Sequence, residues 1–191
     1  MKIFAILIIF IFSIAATGCV SKEGNSDSGS FDPSGNLTNE IIWEGSSSNG
    51  NDSLPPDPGD AGKLSLNGID SDEDGLRDDL QRFISLDISD EKAQSALKQV
   101  ARVGQNIVVN ADDVNSSITH ANELNRAIEC MYYSAPNDAQ TMLRDMERNI
   151  FNTPARIEAY IQMQQNLIGF ASPALTGTNR RESCTVNPDS F

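Results

Sequence analysis

Residues 112–131 read DDVNSSITHANELNRAIECM. In this stretch Val114, Ile118, Ala121, Leu124, Ile128 and Met131 recur three or four residues apart. That spacing gathers side chains on one face of an α-helix and scatters them over both faces of a strand. The aspartates at its start suit the positive end of a helix dipole. The segment therefore predicts an amphipathic helix beginning near Asp112, and its period sets the reading of what lies on either side.

Upstream, Leu76, Leu80, Phe83 and Ile84 give a first short helix. A second is predicted from Ser89 as N-cap, with Asp90 and Glu91 in its first turn and Ala93, Leu97, Val100, Ala101 and Ile107 on its apolar face. Gly104 is a weak point in that helix. Downstream, Asn137 or Asp138 starts a fourth helix, with Met142, Leu143, Met146 and Ile150 on one side. Thr153 followed by Pro154 is an N-cap with proline at the first helical position, opening a fifth that carries Ile157, Tyr160, Ile161, Gln164, Leu167 and Ile168. The lone strand candidate, Lys63 to Leu66, is short. Brief connections favour antiparallel neighbours. The predicted fold class is all-α: a bundle of about five helices over residues 62–191, preceded by an acidic loop at 70–81.

The N-terminal part reads differently. Lys2 and the apolar run Ile3 to Ile14 form a segment shorter than the ~20 residues a transmembrane helix needs. Ala16, Thr17, Gly18 and Cys19 follow, and this ending resembles the lipobox of bacterial lipoproteins, with Ala16 where Leu is commonest. The resemblance implies a signal peptide over residues 1–18, acylation of Cys19 and membrane attachment through the lipid. Val20 stands where lipoproteins retained in the inner membrane carry Asp, so the resemblance further implies the outer membrane, on its periplasmic face or at the cell surface. Residues 19–61 are dense in Ser, Gly, Asn and Asp and read as a disordered tether, able to hold the domain ~35 Å from the membrane. Ile41, Ile42 and Trp43 interrupt it; either they dock on the domain or a partner, or they are a local cluster in a disordered tail.

The net charge of −13 is unevenly placed, with −6 in residues 1–60 and −7 in residues 61–191. Residues 70–79 hold six acids against Arg77, and outside this stretch the helical region is nearly neutral. No basic patch suits nucleic acid, and no polybasic stretch suits anionic lipid. Besides Cys19, Cys130 and Cys184 remain. In an exported chain such an even pair reads as a disulfide, tying the C-terminal tail to the third helix; the alternative is two buried thiols.

The acidic stretch carries the chemistry. Asp70, Asp72 and Asp74 alternate and Gly75 follows, an arrangement that wraps carboxylates around calcium and turns sharply at the glycine. The Leu76 carbonyl takes the seventh position of such a loop, and Asp78 the ninth, directly or through water. The twelfth is Gln81, where an EF-hand has a bidentate Glu, and this departure points to a weak site near 10⁻⁴–10⁻³ M. Many carboxylates on a flexible loop favour calcium over magnesium. The other reading is an acidic cap on the following helix, Asp78 and Asp79 facing its dipole. The run from Asp70 to Asp79 looks like the acidic loop of thrombospondin type 3 repeats, and is similar to bacterial lipoproteins in which one such loop precedes a small helical domain. A looser likeness extends through Asn152, Thr153, Pro154, Arg156 and Tyr160. The resemblance implies calcium binding and a place in the cell envelope, with no particular activity.

No catalytic residue is assigned. His120 is the only histidine and lies one position off the apolar stripe; no Gly-x-Ser-x-Gly elbow or phosphate-binding glycine loop occurs. The sequence thus suggests a non-enzymatic binding or scaffolding lipoprotein with a structural calcium and an envelope partner of unknown kind. The alternative is a metal-dependent envelope hydrolase, which needs a base outside the ligand set.

Overall fold

The computed structural model describes residues 54–171 and 180–191; the signal segment, Cys19, Ile41, Ile42 and Trp43 lie outside the described residues. Among those described, five α-helices form and no strand does: α1 (Asp78–Asp87), α2 (Glu91–Val109), α3 (Val114–Ser134), α4 (Ala139–Ile150) and α5 (Pro154–Asn166). The predicted all-α class is the observed one. Lys63 to Leu66 is no strand; the chain there leaves a short 3₁₀ helix, Ala61–Lys63.

Helix starts follow local chemistry. Thr153 accepts from the Arg156 N–H at 3.2 Å with Pro154 beside it, as its sequence foretells. At α2 the cap is Asp90 rather than Ser89, accepting from Ala93 N–H at 3.0 Å; a carboxylate adds favourable charge at the helix end that a hydroxyl lacks. At α3 the cap is Asp113, bonded to Ser116 N–H at 2.6 Å. Asp113 is held below the usual carboxylate range by these bonds to the Ser116 and Asn115 region.

The central helix is α2, which packs against all four others. Its expected face is buried throughout, and Ala96, Val103 and Val108 widen it. Gly104 is a close-approach position: a Cβ there would lie 2.6 Å from Ile150 Cδ1, so the missing side chain lets α4 cross. Leu76, Leu80, Ile84, Leu97, Met131, Met146 and Ile150 fill the main core, and Ile107, Ala111 and Met163 a smaller one.

Two faces differ from expectation. On α3 the buried line is Ser117, Ala127, Cys130, Met131 and Ser134, whereas Val114 is exposed. Ser117 can be buried because its hydroxyl donates to the Asp113 carbonyl at 2.9 Å and accepts from Asn166 at 2.9 Å. On α5, Arg156 and Met163 are buried while Ile161 is exposed, and Ile168, read from the sequence as part of this helix, lies past its end and is exposed. Arg156 is buried there because carbonyl oxygens surround its guanidinium, as described next. None of the described helices is long and apolar enough to cross a membrane.

Candidate metal centre

The acidic loop is positioned from below by Arg77 and Arg156, each fully buried. Arg77 makes a two-pronged bond to Asp79, Nε to Oδ1 at 2.9 Å and Nη2 to Oδ2 at 2.7 Å. It also donates to the carbonyls of Ile150 and Asn149, the end of α4, at 3.1 and 3.0 Å. These are the carbonyls a helix end leaves without intrahelical partners. Burial alone would raise the Asp79 carboxyl, but the Arg77 bonds and charge outweigh it and its pKa is lowered. Arg156 donates to the carbonyls of Gly62, Ser65 and Leu66 at 2.7, 2.9 and 3.2 Å and to Asn152, pinning the irregular approach to the loop against α5. Gly68, at φ +68°, passes over both guanidinium side chains, where a Cβ would sit 2.7 Å from Arg77 Cδ. The packed chain already includes Pro55, whose carbonyl accepts from Arg82 at 2.8 Å, within residues that composition assigns to the tether.

The loop itself closes through Asp78 N–H to the Ile69 carbonyl at 2.8 Å. Glu73 and Gly75 take positive φ, 56° and 82°, and turn the chain back on itself. Several carboxylate oxygens meet loop N–H groups: Asp78 Oδ1 with Ser71 at 2.8 Å, Asp70 Oδ2 with Gly75 at 3.0 Å and Asp74 Oδ1 with Leu76 at 2.8 Å.

This folding brings Asp70, Asp72 and Asp78 together, with one oxygen of each within 4.8 Å of the others. Three oxygens within that span share a centre no more than about 2.8 Å from each, so a slight tightening brings all three to the calcium–oxygen distance of about 2.3–2.6 Å. Asp74 is not in that group; its second oxygen lies 3.5 Å from Arg102 Nη2. Leu76 sends its side chain into the core. Gln81, on the first turns of α1, donates from Nε2 to Asp72 Oδ2 at 3.0 Å, and this bond holds the Asp72 carboxyl below the usual range.

Three buried side-chain atoms among the described residues have no hydrogen-bond partner: Asp70 Oδ1, Asp78 Oδ2 and Gln81 Oε1. All three are oxygens, and all three belong to this one cluster. Buried acceptors without donors are rare and each needs a physical reason. A carboxylate buried at 1% exposure, as Asp78 is, is costly without a positive partner. Turn bonds within the loop account for the oxygens that meet N–H groups, all of them ahead of α1, and leave these three unexplained; a cation accounts for them. The donor set is all oxygen, which suits a hard divalent ion.

Elsewhere, Cys130 and Cys184 lie with their sulfurs 2.06 Å apart, at disulfide bonding distance, so the pair expected from the sequence is brought together. His120 is partly buried, its Nδ1 2.8 Å from Glu123 Oε2, an i,i+3 pair along α3. What the sequence reading missed were the buried arginines; the one available signal was Arg77 lying between Leu76 and Leu80, two core leucines. Compared with known proteins, the chain matches no family model, no curated protein and no solved structure.

Proposed function

We propose that this chain is a cell-envelope lipoprotein, anchored through Cys19, whose helical domain is a non-enzymatic binding or scaffolding module stabilised by calcium. The observation that carries the calcium assignment is that the three unpartnered buried oxygens belong to Asp70 and Asp78, which gather with Asp72, and to Gln81, which is bonded to Asp72. The loop leads directly into α1, so a bound ion would fix how Leu76, Leu80 and Ile84 enter the core. It would also cancel repulsion within the six acids of residues 70–79. Its role is therefore to order structure, and the residues that would hold it are Asp70, Asp72 and Asp78, with Asp74 and the Leu76 carbonyl completing the set if the loop tightens. The lipobox-like ending at Cys19, together with a cysteine pair suited to an oxidising compartment, supports the envelope assignment.

Calcium should raise the melting temperature of the mature chain. At about 1 mM free calcium and a dissociation constant near 10⁻⁴ M, linkage gives about 1.4 kcal/mol. That corresponds to roughly 5 °C for a domain of this size. Asp72→Ala should erase the gain, and Asp112→Ala should keep it; a melt indifferent to calcium and chelator would leave the loop as a helix cap. Attachment is tested separately. Cys19→Ser should abolish incorporation of labelled palmitate and leave uncleaved precursor, and normal processing of that variant would remove the anchor from the proposal.

A further inference from the structure

We infer that Gln81 is itself a ligand of the cation, supplying a neutral carbonyl oxygen from α1 and thereby setting the site's affinity in the weak, extracellular range. This rests on the reading of the loop as a calcium site. Gln81 is twelve positions into the loop that begins at Asp70, where a charged, bidentate group would close a tight site. The structure shows that the loop nevertheless folds far enough for this side chain to meet its third position: Nε2 donates to Asp72 Oδ2 at 3.0 Å. That bond orients the amide. With C=O and C–N lengths of about 1.2 and 1.3 Å, Oε1 cannot be more than about 5.5 Å from the same Asp72 oxygen. Gln81 is 8% exposed, and its Oε1 has no partner among the described residues.

The two ends of the amide therefore have different jobs. The donor end steadies Asp72, whose carboxylate is otherwise exposed, and the acceptor end is left for an ion. A carbonyl ligand adds coordination without adding charge, and calcium affinity in such loops follows ligand charge and site rigidity. A glutamate at this position would add the charge, but it would also replace a donor facing Asp72 with a second carboxylate. Gln81 thus trades affinity for a loop that is not strained by repulsion when calcium is low. It also carries the ion's effect directly to α1, since Leu80 and Ile84 beside it are core residues.

The prediction is a change of sign. In the mature chain, Gln81→Glu should bind calcium about tenfold more tightly by titration with the ion alone, and should melt higher than wild type at millimolar calcium. In chelator the same variant should melt lower than wild type by a few degrees. Gln81→Met keeps length and volume, removes both polar ends, and should weaken calcium binding about tenfold while remaining helical. A merely structural Gln81 gives a different pattern: Gln81→Glu melts lower by the same amount in calcium and in chelator, and neither variant changes the dissociation constant. That pattern with wild-type protein that binds calcium overturns the role of Gln81 alone. Wild-type protein that binds no calcium overturns the site and Gln81 together.

Discussion

Arg156→Ala is expected to destabilise the folded chain by about 4 kcal/mol in a urea titration, more than any change to the acidic loop. Hydrogen bonds from a charged donor to buried acceptors are worth about 1.5–3 kcal/mol each when one side is removed, and the sum is tempered because freed carbonyls find water. Arg156 is completely buried and donates to the carbonyls of Gly62, Ser65 and Leu66 and to the Asn152 side chain. Burial and the nearby Arg77 charge both lower its pKa, while Asp79 acts the other way. The guanidinium is tolerated there because its five donors can meet several oxygens in one plane. Lysine cannot reproduce that fan, so Arg156→Lys should lose most of the same stability. The release should be directional. The approach segment, residues 61–69, is joined to α5 by these bonds, and its side chains from Lys63 to Asn67 are exposed. Limited proteolysis of Arg156→Ala should cut first near residues 61–69. A loss under about 1 kcal/mol would mean that water replaces the arginine without cost, and that the segment is held by something else.

The arginines mark where sequence reading stops. Apolar spacing gives the existence of every helix, and Thr153 with Pro154 gives the start of α5 to the residue. The cap read at Ser89 falls one position off, because Asp90 is a competing capper next door, and the third helix, read as starting near Asp112, is capped by Asp113. The α2 face is legible because that helix is surrounded and its whole apolar side is used. The faces of α3 and α5 are not, since burial there is decided by partners that periodicity cannot register. Ser117 is buried by Asn166, and Arg156 by carbonyls ninety or so residues away in the chain. Hydropathy ranks Arg156 as the residue to expose and Ile161 as the one to bury, and the structure does the reverse.

The site divides in the same way. Alternating aspartates and the glycine at Gly75 make the loop legible, because each carboxylate and the positive φ has a local cause. That Asp70, Asp72 and Asp78 meet while Asp74 turns toward Arg102 is a consequence of α2 lying alongside the loop, and no local pattern encodes it. Gln81 reads from sequence as a missing ligand; its contact with Asp72 makes it part of the cluster.

Removing the sulfur bridge should cost about as much as removing Arg156, by a different route. Cys130 and Cys184 are 54 residues apart in sequence, and the chain-entropy model gives about 4 kcal/mol for closing a loop of that size. The C-terminal tail has other attachments. Gln99 donates to the Ser183 carbonyl at 3.0 Å and accepts from Thr185 N–H at 3.0 Å. Asp189 gathers Arg181, Lys92 and Tyr133, and this positive and hydroxyl company lowers its pKa, the Arg181 bond first. Surface pairs of that kind contribute little and weaken with salt. Gln99 is the stronger hold, being buried, yet a single amide cannot offset the entropy of a chain free to leave at its end. Cys130→Ala with Cys184→Ala should therefore lower stability by about 4 kcal/mol, and raising salt should destabilise the variant further while leaving wild type nearly unchanged. Thiol titration of denatured, unreduced wild-type protein should find neither cysteine free. Two free thiols, or a double variant within 1 kcal/mol of wild type, would mean that the amide and the Asp189 cluster hold the tail without a covalent bond.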